Sequence, residues 1–430
     1  MTQLSAFKEL VRLTGLVRSH LLLLTTGMLC DATKQLVTIG IGLLGVLLIY
    51  TATGNAQASA LLPIGTVILV LALLRGVCGY FGPYLNHIAA FRILSDLRNE
   101  FYKKVDPLAP AIFVSRRTGD LVSVAINNIE ILELFFAHTL TQIVVAVIVP
   151  CIVLCGLAYI HPSLALIQLL FLVLTALIPA LSVHINQHKG DRLRQYLATM
   201  SSFLIDSVQG IWEILAFGRG KDRLDAIIKM VLEYRKEQRS YARVNALASA
   251  SYAILVSAGV VIVLVQATIL TQAGVINSFY LPISVILSAG AFTALKEVIE
   301  VSKQLSMTIA GSKRFFAIMD DIPVVQETTA PEIKISSVPS LEVSDLWFKY
   351  GESEPPVLKG ISFQVPSGCT AAIVGMTGAG KTTLTHLLMR FWDAESGSIS
   401  LDGHDIREFP LEYLRNLVSV VTQDIFLFNS

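Results

Sequence analysis

The chain has 430 residues, of which 53% are hydrophobic and only 15% are charged, and its mean hydropathy is +0.65. Soluble domains carry roughly 25% charged residues, so this deficit excludes a disordered or fibrous protein and argues against a single soluble globule. The net charge of +1 gives no bias toward nucleic acid, and we predict no nucleic-acid partner. Long stretches within 20–310 are nearly uncharged, whereas the C-terminal part has the composition of a soluble α/β domain.

The N-terminal segment Leu4–Val17 has an amphipathic pattern that includes Lys8 and Arg12. No small-residue cleavage site follows the first apolar run, so the pattern is not that of a cleavable signal peptide. We predict a helix that lies along the membrane surface before the first membrane span.

Apolar runs long enough to cross a bilayer occur six times. A spanning helix needs roughly 20 mostly apolar residues to cross a hydrocarbon core of about 30 Å. The candidate spans are 20–50, 61–91, 134–158, 163–185, 246–270 and 279–303. The third to fifth are the clearest, because charged residues interrupt the others: Asp31, Lys34, Arg75, Lys296, Glu297 and Glu300. We predict an all-α membrane domain of six transmembrane helices.

The distribution of basic residues sets the predicted orientation. Segment 92–133 holds six Lys and Arg residues and segment 186–245 holds eleven, whereas 51–60, 159–163 and 271–280 hold none. Because basic loops stay on the cytoplasmic side, this bias predicts a multi-pass protein of the cell inner (plasma) membrane with both termini in the cytoplasm.

The two basic segments are helix-compatible and poor in Pro and Gly, which predicts long cytoplasmic extensions of the membrane helices. The composition changes at the Pro-containing stretch 321–340, after which short β-type runs begin. We predict a transmembrane domain over 1–320, a linker over 321–340, and a water-soluble α/β domain over 341–430.

The motif that carries chemistry follows the apolar, strand-like run Thr370–Val374 and precedes the helical stretch Leu384–Phe391. It has the form G-x-x-x-x-G-K-[ST] in the strand–loop–helix context that this motif requires. Backbone N–H groups of such a loop converge on phosphate oxygens, Lys381 reaches the β- and γ-phosphates, and the Thr382 hydroxyl ligates Mg²⁺. The predicted nucleotide contacts are Gly375, Thr377, Gly378, Ala379, Gly380, Lys381, Thr382 and Thr383. The alternative is a Gly-rich turn with a chance Lys.

With six spans, long internal extensions, a linker and this phosphate loop, the chain resembles the ATP-binding-cassette exporters over essentially its whole length. The resemblance implies a half-transporter that fuses a permease to an ATP-binding domain and uses ATP and Mg²⁺ as cofactors. It identifies 341–430 as the N-terminal part of that domain, a partial α/β P-loop nucleotide-binding domain. It also implies a second half-transporter as partner, in a homodimer or a heterodimer. The implied function is ATP-driven transport of a small-molecule or peptide substrate, in the export direction, by alternating access.

Two further residues match positions of that family. Tyr350 stands where the family places an aromatic ring that stacks on adenine; the alternative is a core tyrosine at a strand end. Gln423 stands at the family's glutamine loop, where the resemblance implies contacts with Mg²⁺ and the attacking water and therefore a catalytic role beside Lys381. The segment Gly397–Gly403 resembles the family's antiparallel β turn.

The segment Phe113–Leu121 resembles the first coupling helix of the family, with Gly119 and Asp120 at its turn. The alternative is an ordinary polar turn between helices. The resemblance places a second turn near Leu204–Trp212.

The family's Leu-Ser-Gly-Gly-Gln-type signature, its Asp-Glu strand end and its switch histidine do not occur in the 430 residues. The sequence ends at Ser430, seven residues after Gln423. We therefore expect a C-terminally truncated or partial gene product that binds nucleotide weakly and, alone, does not hydrolyse it at a useful rate, because phosphoryl transfer needs the missing parts.

Charged residues in the first two spans are candidates for a substrate pathway. Asp31 and Lys34 share one helix face, and Arg75 lies at a comparable predicted depth. Charges at membrane depth are costly and usually face a cavity or one another, so these three predict a polar pathway for a charged or zwitterionic solute. The alternative is an internal ion pair that fixes helix packing. Lys296, Glu297 and Glu300 belong either to the same cavity or, as we favour, to its cytoplasmic mouth.

Two residue pairs have the spacing of metal ligands but a different interpretation. His184 and His188 share a helix face without an intervening catalytic Glu, so we do not predict a metal site. Cys151 and Cys155 lie in an apolar span and are predicted to be small packing residues. The five cysteines do not form a secreted disulfide pattern.

Within the family, 87–140 and the Phe217–Gly218 region are loosely similar to the bacterial thiol and haem exporters of cytochrome bd assembly. A peptide, lipid, siderophore or drug substrate stays open. Two alternatives stand beside the leading interpretation. One is a non-hydrolysing, ATP-binding partner or regulatory subunit of an asymmetric transporter. The other is a soluble P-loop enzyme tethered to the membrane, which the six spans disfavour.

Overall fold

The computed structural model describes residues 3–53, 58–327, 333, 335–352 and 354–423. The chain divides into two compact units, the first over 1–97 and 127–313 and the second over 98–126 and 314–430. Each unit is described by itself below.

Long helices account for most of the first unit. In chain order the helices up to residue 319 are α1 (Gln3–Gly15), α2 (Leu21–Thr53), α3 (Ala58–Leu108), α4 (Ile112–Ser115), α5 (Thr118–Ser123), α6 (Ile129–Glu133), α7 (Leu140–Ile160), α8 (Pro162–Gln209), α9 (Ile211–Ala216), α10 (Gly220–Gln272) and α11 (Tyr280–Met319). A 3₁₀ turn joins α1 to α2, and two π-helical turns flank α6, so the chain stays helical from Thr118 to Ile160. Helices α4 and α5 and the C-terminal ends of α3 and α11 belong to the second unit.

Five helical stretches are long and apolar enough to cross a membrane: Lys8–Thr53, Leu61–Leu108, Thr118–Ile160, Gly220–Gln272 and Tyr280–Val298. In the sixth predicted span, within α8, the described apolar stretch Pro162–Ile178 is shorter. The chain is therefore a multi-pass membrane protein with a helical membrane domain, as the sequence predicts.

The core of the first unit is formed where α7, α8, α10 and α11 pack together. Val149 of α7, Val263 of α10 and Phe292 of α11 are buried in one cluster. Gly259 permits a close approach there, because a Cβ atom at this position would lie 2.9 Å from Cζ of Phe292. Small residues at helix contacts are typical of membrane proteins, in which dispersion rather than the hydrophobic effect holds helices together.

The predicted helical extensions are present, because α8 continues to Gln209 and α10 begins at Gly220. The chain reverses between these two residues, in a stretch that begins within the predicted region Leu204–Trp212 and extends past it. Arg223 of α10 fixes the returning helix: its guanidinium lies 3.5 Å over the Phe203 ring, and Nε donates to Ser207 Oγ at 2.8 Å. Cation–π contact and a hydrogen bond together align α8 with α10.

The second unit contains a small antiparallel sheet whose strand order is β2-β1-β3-β4. The strands are β1 (Leu341–Phe348), β2 (Leu358–Val365), β3 (Ser396–Leu401) and β4 (His404–Asp405), and the helices are α12 (Lys381–Leu388) and α13 (Leu411–Leu417). Leu341 of β1 pairs with Val365 on one side and with Leu401 on the other. The buried strand residues pack with Leu384 and Leu387 of α12 and with Leu414 of α13.

The sequence expectation of a strand at Thr370–Val374 is wrong for this structure. This run adopts no regular strand, and Val374 is 93% exposed. The apolar run 418–421 before Gln423 is likewise irregular, with Val421 88% exposed. A strand is stabilised by its neighbours in the sheet, and none of the four described strands pairs with either run.

Candidate functional site

The phosphate loop is shaped by two glycines with left-handed backbone angles. Gly378 has φ +84° and Gly380 has φ +95°, and non-glycine residues seldom adopt such angles. Gly380 is also held close to strand β2, because a Cβ atom there would lie 2.6 Å from Cδ2 of Leu358. The loop residues 371–379 are exposed, so their backbone is open to a ligand.

The loop ends at the N-terminus of α12, where the positive end of the helix dipole lies. Gly380 is the N-cap and offers no side-chain acceptor to the first backbone N–H groups of the helix. Lys381 folds back across the loop, and its Nζ donates to the carbonyl oxygens of Gly375 at 2.8 Å and of Met376 at 2.7 Å. Free N–H groups, a helix N-terminus and a loop-spanning ammonium group form an anion site suited to phosphate.

The hydroxyl of Tyr350 donates to Oγ1 of Thr383 at 3.1 Å and lies 3.3 Å from Nδ1 of His386. The tyrosine ring is half-buried and makes edge-to-face contacts with Phe348 and Trp392. Burial lowers the pKa of His386, so this imidazole is neutral at pH 7. The contacts connect Tyr350 both to the hydrophobic core and to the helix that follows the phosphate loop.

The other predicted ATP-site residues lie on the surface of the unit. Thr377, Ala379 and Thr382 are exposed, which leaves the hydroxyl of Thr382 accessible at the start of α12. Gln423 is the last described residue and lies in an exposed bend. Within residues 354–423, no hydrogen bond joins Gln423 to the loop, and its catalytic role stays a prediction. Asp424–Ser430 lie outside the described residues.

The predicted coupling segment is a break between two short helices. Arg116 and Arg117 separate α4 from α5, and Gly119 and Asp120 lie in the first turn of α5. Nη2 of Arg116 donates to Oδ2 of Asp321 at 2.7 Å and to the carbonyl oxygen of Ala317 at 3.3 Å. The segment is thereby tied to the start of the linker, within the second unit.

Sequence reasoning did not find the buried Arg390, which organises the contact between the linker and the nucleotide-binding domain. Its guanidinium donates to Oδ1 of Asp393 at 3.0 Å and to the carbonyl oxygens of Phe409 and Gln326, both at 3.3 Å. An arginine inside the apolar run 387–392 is the signal that points to a buried, hydrogen-bonded side chain.

Asp402 is a second residue that sequence reasoning did not find. Its carboxylate accepts hydrogen bonds from the backbone N–H and the hydroxyl of both Ser336 and Ser340. These bonds, that from the Ser336 hydroxyl foremost, lower the pKa of Asp402 to about 2. Asp402 therefore holds the end of the linker to the β3–β4 turn.

In the first unit, the polar side chains of the first span face one another. The buried Asp31 accepts from Nδ2 of Asn86 at 2.9 Å and from Nζ of Lys34 at 3.3 Å. Asp31 and Lys34 border a cavity of about 110 Å³, which is lined by Asp31, Lys34, Gln35, Gln142, Val145 and Glu297. Asp31 and Lys34 are thus brought together.

The remaining predicted pathway residues are placed differently. Arg75 is exposed and does not line this cavity. Glu297 lines the cavity rather than lying apart from it, whereas its exposed neighbour Lys296 does not. The side chain of Glu300 lies outside the described residues.

The five cysteines are all free thiols. Cys151 and Cys155, which the sequence predicts to be small packing residues, are exposed on the surface of this chain. In the parts of the chain that the structure describes, no three His, Cys, Asp or Glu side chains form a metal-binding group. The side chains of His184 and His188 lie outside the described residues, so our expectation about that pair stays untested.

A multi-span helical domain and a phosphate loop in one chain define a membrane protein with a nucleotide-binding domain. Family comparisons agree with this class. The model described as "ABC transporter transmembrane region" matches residues 21–295, and the model described as "ABC transporter" matches residues 358–430. The chain belongs to the ATP-binding-cassette (ABC) transporter family.

Individual relatives are similar over most of the chain. A probable ABC transporter ATP-binding/permease protein of Haemophilus influenzae is 30% identical over 85% of this chain and 66% of that protein. The glutathione/L-cysteine transport system ATP-binding/permease protein CydC of Escherichia coli is 28% identical over 84% of this chain and 63% of its own length. An ATP-dependent lipid A-core flippase of Vibrio parahaemolyticus is 27% identical over 100% of this chain and 73% of its own length. The chain spans slightly less than two thirds of the first two relatives.

Proposed function

We propose that the full-length protein is one half of a dimeric, ATP-driven exporter in the inner membrane, with its N- and C-termini in the cytoplasm. The observation that carries the proposal is the phosphate loop at the N-terminus of α12, in the same chain as a multi-span helical domain. The excess of basic residues in 92–133 and 186–245 supports the orientation.

The residues of the loop suit ATP and Mg²⁺. Backbone N–H groups at the start of α12 and the ammonium group of Lys381 provide the donors that phosphate oxygens need, once Lys381 exchanges its two carbonyl acceptors for phosphate. The exposed hydroxyl of Thr382 provides the oxygen ligand that Mg²⁺ prefers, with Gln423 as a second candidate. When bound, Mg²⁺ neutralises charge that develops on the phosphates. We assign the adenine contact to Tyr350.

The proposed transport cycle is alternating access in a pair of half-transporters, which are either identical or different. ATP binding brings the two nucleotide-binding domains together, and hydrolysis separates them again. The break at Gly119 and Asp120 is proposed to transmit this movement to the membrane helices. Its support is the ion pair between Arg116 and Asp321, which attaches the segment to the linker.

The substrate is proposed to be a small polar solute. The name of CydC states glutathione and L-cysteine, and the name of the Vibrio relative states lipid A-core, so substrates vary among proteins similar to this chain. A polar cavity that includes Asp31 and Lys34 supports a small charged or zwitterionic substrate over a lipid, which would require an apolar surface.

The test is ATP binding and hydrolysis by the full-length protein in lipid nanodiscs. We expect Lys381→Ala to weaken binding of a fluorescent ATP analogue in the presence of Mg²⁺ by about tenfold or more, because the substitution removes a charge-assisted hydrogen bond. Lys359→Ala, which changes a lysine of strand β2, is the matched control. Equal binding by both variants would refute the proposed site. Tight binding without hydrolysis in any lipid would favour the non-hydrolysing partner subunit instead.

A further inference from the structure

The cavity between α2, α7 and α11 contains charges of both signs in an otherwise apolar helical unit. Asp31 and Glu297 contribute carboxylates, Lys34 contributes an ammonium group, and Gln35 and Gln142 contribute amides. Ionisable side chains are costly inside a membrane domain, and a set that lines one cavity marks a ligand or ion path. Its volume of about 110 Å³ accommodates several water molecules or the head group of a small solute.

The two carboxylates of the cavity differ in their surroundings. Asp31 is 4% exposed and already accepts hydrogen bonds from Asn86 and Lys34, so its charge is compensated within the protein. Glu297 is exposed to the cavity, and no ion pair or hydrogen bond to it occurs among the described residues. Glu297 is therefore the acceptor that remains available for a cationic group.

The ammonium group of Lys34 also retains binding capacity. It has three N–H donors, and its one described hydrogen bond is the 3.3 Å contact with Asp31. Gln142 lines the same cavity from α7 without a hydrogen-bond partner among the residues described, and Oδ1 of the buried Asn86 likewise lacks one. Donors near Lys34 and an acceptor at Glu297 are suited to a ligand that carries a carboxylate and an ammonium group together.

We infer that this cavity binds the head group of a zwitterionic amino-acid-type solute, with its ammonium group at Glu297 and its carboxylate at Lys34. The inference rests on the proposed transport function and names the chemical class of its substrate. A solute with only a carboxylate would leave Glu297 without a partner, and a solute with only an ammonium group would leave the remaining N–H donors of Lys34 unused, so each should bind more weakly than a zwitterion.

The experiment measures binding of radiolabelled L-alanine to the full-length protein in nanodiscs. Glu297→Gln is the main variant, because it keeps the side-chain shape and changes a residue that is not in the buried core. Lys34→Gln tests the carboxylate contact, and Lys296→Gln is the control at an adjacent lysine outside the cavity lining. We expect saturable binding that Glu297→Gln and Lys34→Gln each weaken about tenfold or more and that Lys296→Gln leaves unchanged.

Competition by single-charge analogues separates the zwitterion from simpler ligands. Ethylammonium and propionate should each compete with L-alanine at least about tenfold more weakly than unlabelled L-alanine does. Absence of saturable L-alanine binding, equal binding by Glu297→Gln, or equal competition by ethylammonium would overturn the inference. ATP binding is measured in the same samples. If ATP binding through Lys381 persists while L-alanine does not bind, only the substrate class fails; if ATP binding is lost, the proposed function fails.

Discussion

Replacing Gly380 by alanine should destabilise the nucleotide-binding domain more than the same replacement at Gly378. Both glycines have left-handed φ angles, so each alanine adds about 1–2 kcal/mol of backbone strain. A Cβ atom at Gly378 meets nothing within 4 Å, whereas at Gly380 it would lie 2.6 Å from Cδ2 of Leu358. Because Leu358 is buried in the core, relief of this overlap costs about 1–3 kcal/mol more.

The assay is thermal unfolding followed by tryptophan fluorescence. The chain has three tryptophans, of which Trp347 and Trp392 lie in the second unit, so a Trp212→Phe background reports on that unit. A difference of about 1–3 kcal/mol corresponds to a difference in Tm of about 2–12 °C between the two glycine variants.

A double-mutant cycle identifies the cause of the difference. Leu358→Val removes the terminal methyl group that the new Cβ atom approaches, so Gly380→Ala should cost less in the Leu358→Val background than in the native background. Equal Tm values for Gly378→Ala and Gly380→Ala, or no coupling between Gly380 and Leu358, would show that contact with β2 does not constrain the loop.

Three further predictions concern the second unit. Arg390→Met should destabilise it by about 2–4 kcal/mol in a denaturation assay, because the carbonyl oxygens of Gln326 and Phe409 lose a charged donor. Asp402→Ala should accelerate hydrogen exchange at the Ser340 amide by about tenfold at pH 7. Since the pKa of Asp402 is lowered to about 2, the hydrogen bond of the native protein should persist at pH 4 and be lost only as the pH falls through about 2. Because burial lowers the pKa of His386 below 6.5, protonation opposes folding, so the native Tm should fall between pH 7 and pH 5 by more than that of a His386→Phe variant.

Features that depend on nearby residues could be predicted from the sequence. The glycine spacing of the phosphate loop predicts its left-handed angles and the helix that follows, and α12 begins at Lys381 as the motif requires. Apolar length likewise predicts the membrane helices, and the charged segments poor in Pro and Gly predict their helical extensions. The turn at Asp402 and Gly403, both with positive φ, lies in the segment Gly397–Gly403, which the family resemblance identifies as a β turn.

Contacts between distant residues could not be predicted in the same way. Asp31 and Lys34 are neighbours on one helix, so their pairing follows from spacing, but Asn86 reaches Asp31 from another helix. Glu297 joins the cavity and Arg75 does not, because the rotation of each helix about its axis depends on packing with its neighbours. Arg390 likewise could not be identified from the sequence, because its acceptors come from three parts of the chain that only tertiary packing brings together.

The two sides of the phosphate loop illustrate this difference within one site. The helix side is formed by local interactions, because α12 obtains its hydrogen bonds from its own backbone and buries Leu384 and Leu387 in the hydrophobic core of the unit. The preceding run Thr370–Val374 has the apolar, β-type composition of a strand but needs hydrogen bonds from other strands to become one. Because none of the described strands pairs with this run, the loop is anchored through α12 and through the close approach of Gly380 to Leu358 of β2. Rigidity of the phosphate site should therefore depend on packing at Leu358 more than on the residues that precede the loop.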